Sequence, residues 1–411
     1  MRSDVELVPK TADDLTFASI AETGGRIRDG LLSPVALAQH CLDRIALSNP
    51  TLNAFITVTT DLALQQARRA EEELRRGHWR GPLHGIPVAV KDFYDTAGIR
   101  TTAAFEHFQD RMPGKDAVMV TQLREAGAVL LGKTNMHTLG KGTTSLDSHF
   151  GPVVNPWSEQ HVAGGSSGGS AVAVAAGLCF ATIDTDAIGS GRLPAAICGV
   201  TCLKPTFGVL SGEGILAGEE TDPAILVLSH PCVTARSVDD VALAFAAVSA
   251  TPAPEASTIR RIGVVTNFAG KEQIAEAFVA FVSGIEAMGI ATRQIEVPFE
   301  KASFDLKNVD KDRSAIDASL FGDVDVIVLP TLAAPTPTVE DARRRGDLAV
   351  SADNTFFCNY FGLPAVSVPS GHDKNGLPLG VQFVGPHSSD ASVLALASAY
   401  QLSTGWRAGV R

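Results

Sequence analysis

Residues Gly164-Gly-Ser-Ser-Gly-Gly-Ser170, running directly into Ala171-Val-Ala-Val-Ala-Ala176, are the stretch on which the reading of this chain turns. Seven residues with nothing larger than a hydroxymethyl side chain cannot build a core. The pattern instead makes tight turns that bring backbone N–H groups close to a ligand. The same texture, dense in Gly, Ser and Thr but carrying apolar inserts, extends from Gly132 to Gly214. A flexible linker would be polar and featureless, so this is built structure. The apolar run Ala171 to Ile183 is the longest in the chain; Gly177 breaks it, and it falls short of the roughly 20 residues a membrane helix needs.

Outward from this block, strand and helix signals alternate, which argues for an α/β layer structure. Ser33-Pro34 is an N-cap with proline at the first helical position, predicting a helix to about Ser48. Leu37, Cys41, Ile45 and Ala46 fall on one face, and Asn49-Pro50 reads as the stop. A second helix is predicted over Leu62 to Arg76, ended by Gly77, and a third over Ala117 to Ala126. Gly85 to Lys91, Ala128 to Leu131, Arg261 to Val265, Val324 to Leu329, Leu363 to Val368 and Leu379 to Val384 read as buried strands. Thr251 to Ser257, with Pro252 and Pro254, is the best linker candidate.

Composition excludes several classes. With 34 basic and 45 acidic residues the formal charge is −11, which speaks against a nucleic-acid backbone as partner. Arg343, Arg344 and Arg345 read as a solvated helix face. Six cysteines in 411 residues are no disulfide framework. Cys198 and Cys202 lack histidines at zinc spacing, so neither a metal nor any cofactor is expected. Cys41, Cys179, Cys198 and Cys232 read as buried small hydrophobes. Met1 to Asp14 lacks the apolar stretch of a signal peptide, so a cytoplasmic, unanchored protein is expected.

Three segments carry chemistry. The Gly/Ser block contains overlapping Gly-x-Ser-x-Gly matches centred on Ser166 and Ser167, the form of a nucleophile elbow. That motif needs a strand directly before it, whereas Asn155 to His161 reads as a loop, and nothing selects a partner among His230, His372 and His387. A plain turn capping a helix accounts for the block equally well. In Asp184-Thr-Asp-Ala-Ile-Gly-Ser190-Gly-Arg-Leu-Pro-Ala-Ala196, a serine between glycines can sit where N–H groups polarise a carbonyl; most such triplets are ordinary turns. Lys91, at the end of an apolar run, is either a solvated strand end paired with Asp92 or a desolvated amine able to act as general base.

Taken in order, these pieces and Leu203-Lys-Pro-Thr-Phe-Gly208 resemble the amidase signature family. Leu131-Gly-Lys-Thr-Asn-Met136, Phe150-Gly-Pro152, Asn155-Pro-Trp157 and Gly362-Leu-Pro-Ala365 match as well, so the resemblance covers about Leu31 to Ala399. Lys91 and Ser166 lie 75 residues apart and Ser166 and Ser190 lie 24 apart, as the family's lysine and two serines require. The resemblance implies one domain over residues 31–405, after an N-terminal segment 1–30, with a central mixed twisted sheet surrounded by helices. It implies a Ser-cisSer-Lys triad of Ser190 as nucleophile, Ser166 as bridge and Lys91 as base. Ala187, Ile188, Gly189, Gly165, Ser167 and Met136 then fall around the oxyanion and substrate. The implied activity is cleavage of a small-molecule amide through an acyl-enzyme, with no metal or nucleotide. A homodimer is compatible with it.

The pattern also breaks. The family's Asp-Thr-Gly-Gly-Ser loop reads Asp186-Ala-Ile-Gly-Ser190 here. Ile188 is strained if that position requires positive φ, and otherwise crowds the site. Gly191 stands where a branched aliphatic is usual, Leu228-Ser229 where the family has Leu-Asp, and Val297 to Val324 is short. Two further readings therefore stay open: an impaired, amidase-like binding protein, and an A-type component of an amidotransferase that works with partner chains.

Overall fold

The computed structural model describes residues 15–220, 222–249, 255–298 and 304–405. The first fourteen residues and linker positions 251–254 lie outside them. Among the described residues, eleven strands form one sheet: β1 (Phe55–Val58), β2 (Pro87–Lys91), β3 (Val129–Thr134), β4 (Ala181–Asp186), β5 (Thr201–Lys204), β6 (His230–Ala235), β7 (Arg261–Val265), β8 (Ala291–Ile295), β9 (Val326–Pro330), β10 (Ala365–His372) and β11 (Pro378–Val384). Their order is β1-β3-β2-β4-β6-β5-β10-β11-β9-β7-β8. β2 runs parallel to β3 and β4, and β7 runs parallel to β8 and β9; the remaining neighbours are antiparallel. The fold is the expected α/β architecture with a mixed sheet.

Every residue of β2, β3, β4, β5, β6, β9 and β11 is buried. A sheet covered by helices on both faces has no solvent face, so its strands read as continuous runs rather than alternations. The edge strand β8 is mostly exposed. The apolar run Ala171 to Ile183 divides at Gly177 (φ +66°) between a fully buried helix, Gly168–Ala175, and β4.

Three local expectations need correction. The helix Pro34–Leu52 continues past Pro50 and ends at Asn53 in the left-handed conformation. Asn49 is a bridge and not a stop: its side chain exchanges two hydrogen bonds with the Phe55 backbone, tying the helix to β1. Ala46 is exposed, and Leu42 takes its place on the buried stripe with Ala38, Cys41 and Ile45, as helical periodicity demands. β3 runs beyond its apolar core to Thr134 because Lys133 is buried with partners, donating to Tyr94 O (2.5 Å) and Thr101 Oγ1 (2.8 Å) near Asp92.

Candidate active site

Lys91 ends β2 and Thr185 lies in β4, the parallel neighbour on one side. The Gly/Ser block enters between them as a loop that starts the helix Gly168–Ala175, with a cis peptide at Gly165–Ser166. Small residues are required here by space. A β-carbon at Gly169 would lie 2.3 Å from Asn135 O, and one at Gly165 would lie 2.8 Å from Thr144 N. No strand precedes the block, so the nucleophile-elbow reading fails. Of the candidate histidines, His230 pairs with Leu228 O and His387 with Asp317 and Phe361 O.

The Lys91 side chain is entirely buried, with Nζ 2.7 Å from Ser166 Oγ, 2.9 Å from Ser167 Oγ and 2.9 Å from Thr185 Oγ1. Burial lowers its pKa to about 8, against the opposing pull of Asp184 and Asp186. Burial likewise raises the Asp184 carboxyl, which accepts from Thr182 and Thr234, so both groups are pushed toward their neutral forms. A neutral amine has two N–H groups and one lone pair. Ser167 donates its own proton to Thr185 O (3.3 Å), so toward Lys91 it is an acceptor. Ser166 has no such acceptor among its hydrogen bonds, and its proton is available to the lysine lone pair.

Ser190 sits on the turn between β4 and the helix Arg192–Cys198, is nearly buried, and its carbonyl accepts from Ser167 N–H (3.1 Å). That bond couples its loop to the Gly/Ser block. Asp186 organises the loop: its carboxylate accepts from the N–H groups of Gly189 (2.8 Å), Gly191 and Arg192 (both 3.2 Å), and from the Arg192 guanidinium (2.9 and 3.0 Å). Burial alone would raise this carboxyl; the charge and hydrogen bonds of Arg192, with Asn359, hold it well below the ordinary carboxylate range. Gly189 is therefore not a free oxyanion donor. No hydrogen bond within the described residues engages the N–H of Ala187, Ile188 or Ser190, which remain the candidates.

Ile188 is not among the residues with left-handed φ, so the substitution is not a backbone strain. Its carbonyl accepts from Thr355 Oγ1 (2.5 Å), and the residue, half-buried, walls a cavity of about 1060 Å³. Met136 is fully buried, its N–H turned to Asn135 Oδ1, and it does not line that cavity. Gly191 has a reciprocal explanation. A β-carbon there would lie 2.6 Å from Cys232 Sγ and 2.8 Å from Cys202 Sγ, so two buried thiols fill the volume a branched side chain would take. Sequence reasoning missed Thr185, Thr355 and Asn359. Thr185 carried a usable signal, standing inside the quoted Asp184–Asp186 segment; Thr355 and Asn359 come from a distant helix start that nothing in their own neighbourhood marks.

Among the described residues, no group of three or more His, Cys, Asp or Glu could hold a metal ion, and no helix is long and apolar enough to cross a membrane. The family model described as Amidase matches residues 36–309 and 300–394. The chain belongs to the amidase family. It is 31% identical to the A-type component of the glutamyl-tRNA(Gln) amidotransferase of Thermosynechococcus vestitus, over 91% of this chain and 95% of the relative. That alignment spans 467 positions, more than the chain contains, so the relative carries insertions absent here. Among solved structures, the peptide amidase of Stenotrophomonas maltophilia superposes with a TM-score of 0.82 at 26% identity, covering 96% of this chain and 98% of that one. The 6-aminohexanoate cyclic dimer hydrolase gives a TM-score of 0.82 at 25% identity, covering 96% and 98%. This amidase is thus a hydrolase of carbon–nitrogen amide bonds.

Proposed function

We propose that the chain hydrolyses small-molecule amides with Ser190 as nucleophile, Ser166 as proton bridge and Lys91 as base. The observation that carries this reading is the fully buried Lys91 amine, 2.7 Å from Ser166 Oγ. Neutral Lys91 accepts the Ser166 proton while Ser166 takes that of Ser190, whose Oγ attacks the amide carbonyl. The oxyanion faces the N–H groups of Ala187, Ile188 and Ser190. The proton passes back through Ser166 to the leaving nitrogen, and the C–N bond breaks to leave an ester on Ser190. Water then cleaves the ester, giving the carboxylic acid and the free serine. No step calls for a metal. A cytoplasmic setting and a homodimer fit this reading without being required by it.

The test is labelling with a fluorophosphonate together with ammonia release. Wild type should be labelled at Ser190, and Ser190→Ala should lose both labelling and turnover while keeping its melting temperature. Labelling that persists in the variant, or maps to Ser167, would sink the assignment. A second reading, an A-type amidotransferase component passing ammonia to a partner, is favoured by the amidotransferase relatives. It requires a co-purifying partner chain, with little turnover by the isolated protein.

A further inference from the structure

We infer that the acyl group accepted by this site is bulky, apolar and free of carboxylate, held in the cavity beside Ile188. The inference rests on the proposed reading of Ser190 and names its substrate class. The cavity, about 1060 Å³, meets the oxyanion loop at Ile188, two residues before the nucleophile. It is at the upper end of small-molecule sites, which run to about 1,000 Å³. Acetamide or a similar short amide would leave it almost empty.

The lining decides the chemistry. Phe268, Phe304, Phe356 and Phe357 supply aromatic surface, with Phe304 and Phe356 edge to face at 4.8 Å, and Val297 and Leu320 supply aliphatic surface. Several polar groups on the lining are engaged within the wall. Asn267 donates one N–H to Val297 O (2.7 Å) and accepts from Val297 N–H (3.0 Å), which ties its amide to the wall itself. Ser319 donates its proton to Ile316 O. The backbone N–H and C=O of Ala269 are both paired with Asn354. The charged groups on the lining are Glu296 and Asp353, both exposed and both negative, and no lysine or arginine lines the cavity among the described residues. Among the described residues, a carboxylate on the acyl chain would meet two like charges and no counter-ion. A phenylalkyl chain would bury its surface against four phenylalanines.

The experiment compares ammonia release by the purified full chain from 4-phenylbutanamide, acetamide and glutaric acid monoamide, with fluorophosphonate labelling run in parallel. The expected order of kcat/KM puts 4-phenylbutanamide ahead of both others by roughly 100-fold, from the added apolar burial and the missing like-charge repulsion. Two variants sharpen it. Phe356→Ala should lower the preference for 4-phenylbutanamide over acetamide by about tenfold or more. Asp353→Lys, at an exposed position that tolerates a charge, should raise the ratio of glutaric acid monoamide to 4-phenylbutanamide by about tenfold. Equal or better turnover of acetamide or the acidic amide, an unchanged ratio in Asp353→Lys, or a labelled Ser190 with no turnover of the phenyl amide would overturn the acyl assignment alone. Absence of both labelling and turnover would overturn the Ser190 reading, and the acyl assignment with it.

Discussion

Lys91 shows what a single residue can and cannot announce. Its place at the end of an apolar run left two readings open, and the choice between them depends on what the third dimension removes, namely water. With Nζ enclosed by three hydroxyls and its pKa lowered to about 8, the amine is protonated and useless as a base at pH 6, and becomes increasingly neutral above pH 8. Activity should therefore rise with pH through an apparent pKa near that value, well below the free lysine range. A kcat/KM profile measures it, and a profile flat across pH 6–9 contradicts the role. Lys91→Arg, which cannot deprotonate, should be inactive at every pH. The overlapping motifs alone left the two adjacent serines equivalent, and only the family resemblance chose Ser166; in the structure the hydroxyl of Ser167 is distinguished from that of Ser166 by its bond to Thr185 O. Gly191 was legible as a departure but not as a fit. Gly191→Ala should cost about 1–3 kcal/mol by overpacking against the two thiols. Chemical denaturation should also find the double variant with Cys232→Ala less destabilised than the sum of the two single changes.

At the scale of an element, the turn from β4 into the helix Arg192–Cys198 is held by one carboxylate. Asp186 caps the helix, engages the Gly189 N–H and so removes it from the proposed oxyanion donors, and neutralises Arg192, which reaches on to Gln382 Oε1, Asn359 Oδ1 and Thr355 O. The position of the loop was legible from Gly-Ser-Gly-Arg. Its bracing was not, because the partners lie at residues 355, 359 and 382 and no local pattern couples them. Removing one member of a fully buried ion pair leaves the other without its charge. Asp186→Asn should lower unfolding free energy by about 3–5 kcal/mol, read from the urea midpoint at constant m, and reduce turnover as the loop loses its anchor. A midpoint unchanged from wild type would mean that the Arg192 network carries its own charge without Asp186.

At the scale of the whole molecule, six of the eleven strands were legible in the sequence, while β1, β4, β5, β6 and β8, and the order of all of them in space, were not. Arg261 to Val265 was read with its exact bounds and the other five strands that were read fell within a few residues, because buried strands in a covered sheet are continuous apolar runs. The linker at Thr251 to Ser257 suggested a place where the chain could be divided. The sheet argues otherwise: β10, from beyond that point, pairs with β5 from before it, and β11 joins β10 to β9. The C-terminal helix Asp390–Thr404 reaches back as well, with Gln401 Oε1 accepting from Val238 N–H and Asp390 accepting from Thr206. A fragment ending at residue 249 would expose the β5 edge and strip Arg192 of Gln382, Asn359 and Thr355. We expect this fragment to show no cooperative thermal transition and no slowly exchanging amides in β5, and co-expression with residues 255–411 to restore both along with amidase activity. A fragment that melts cooperatively alone, with β5 protected, would show that the N-terminal strands form a core independent of the strands that complete their sheet.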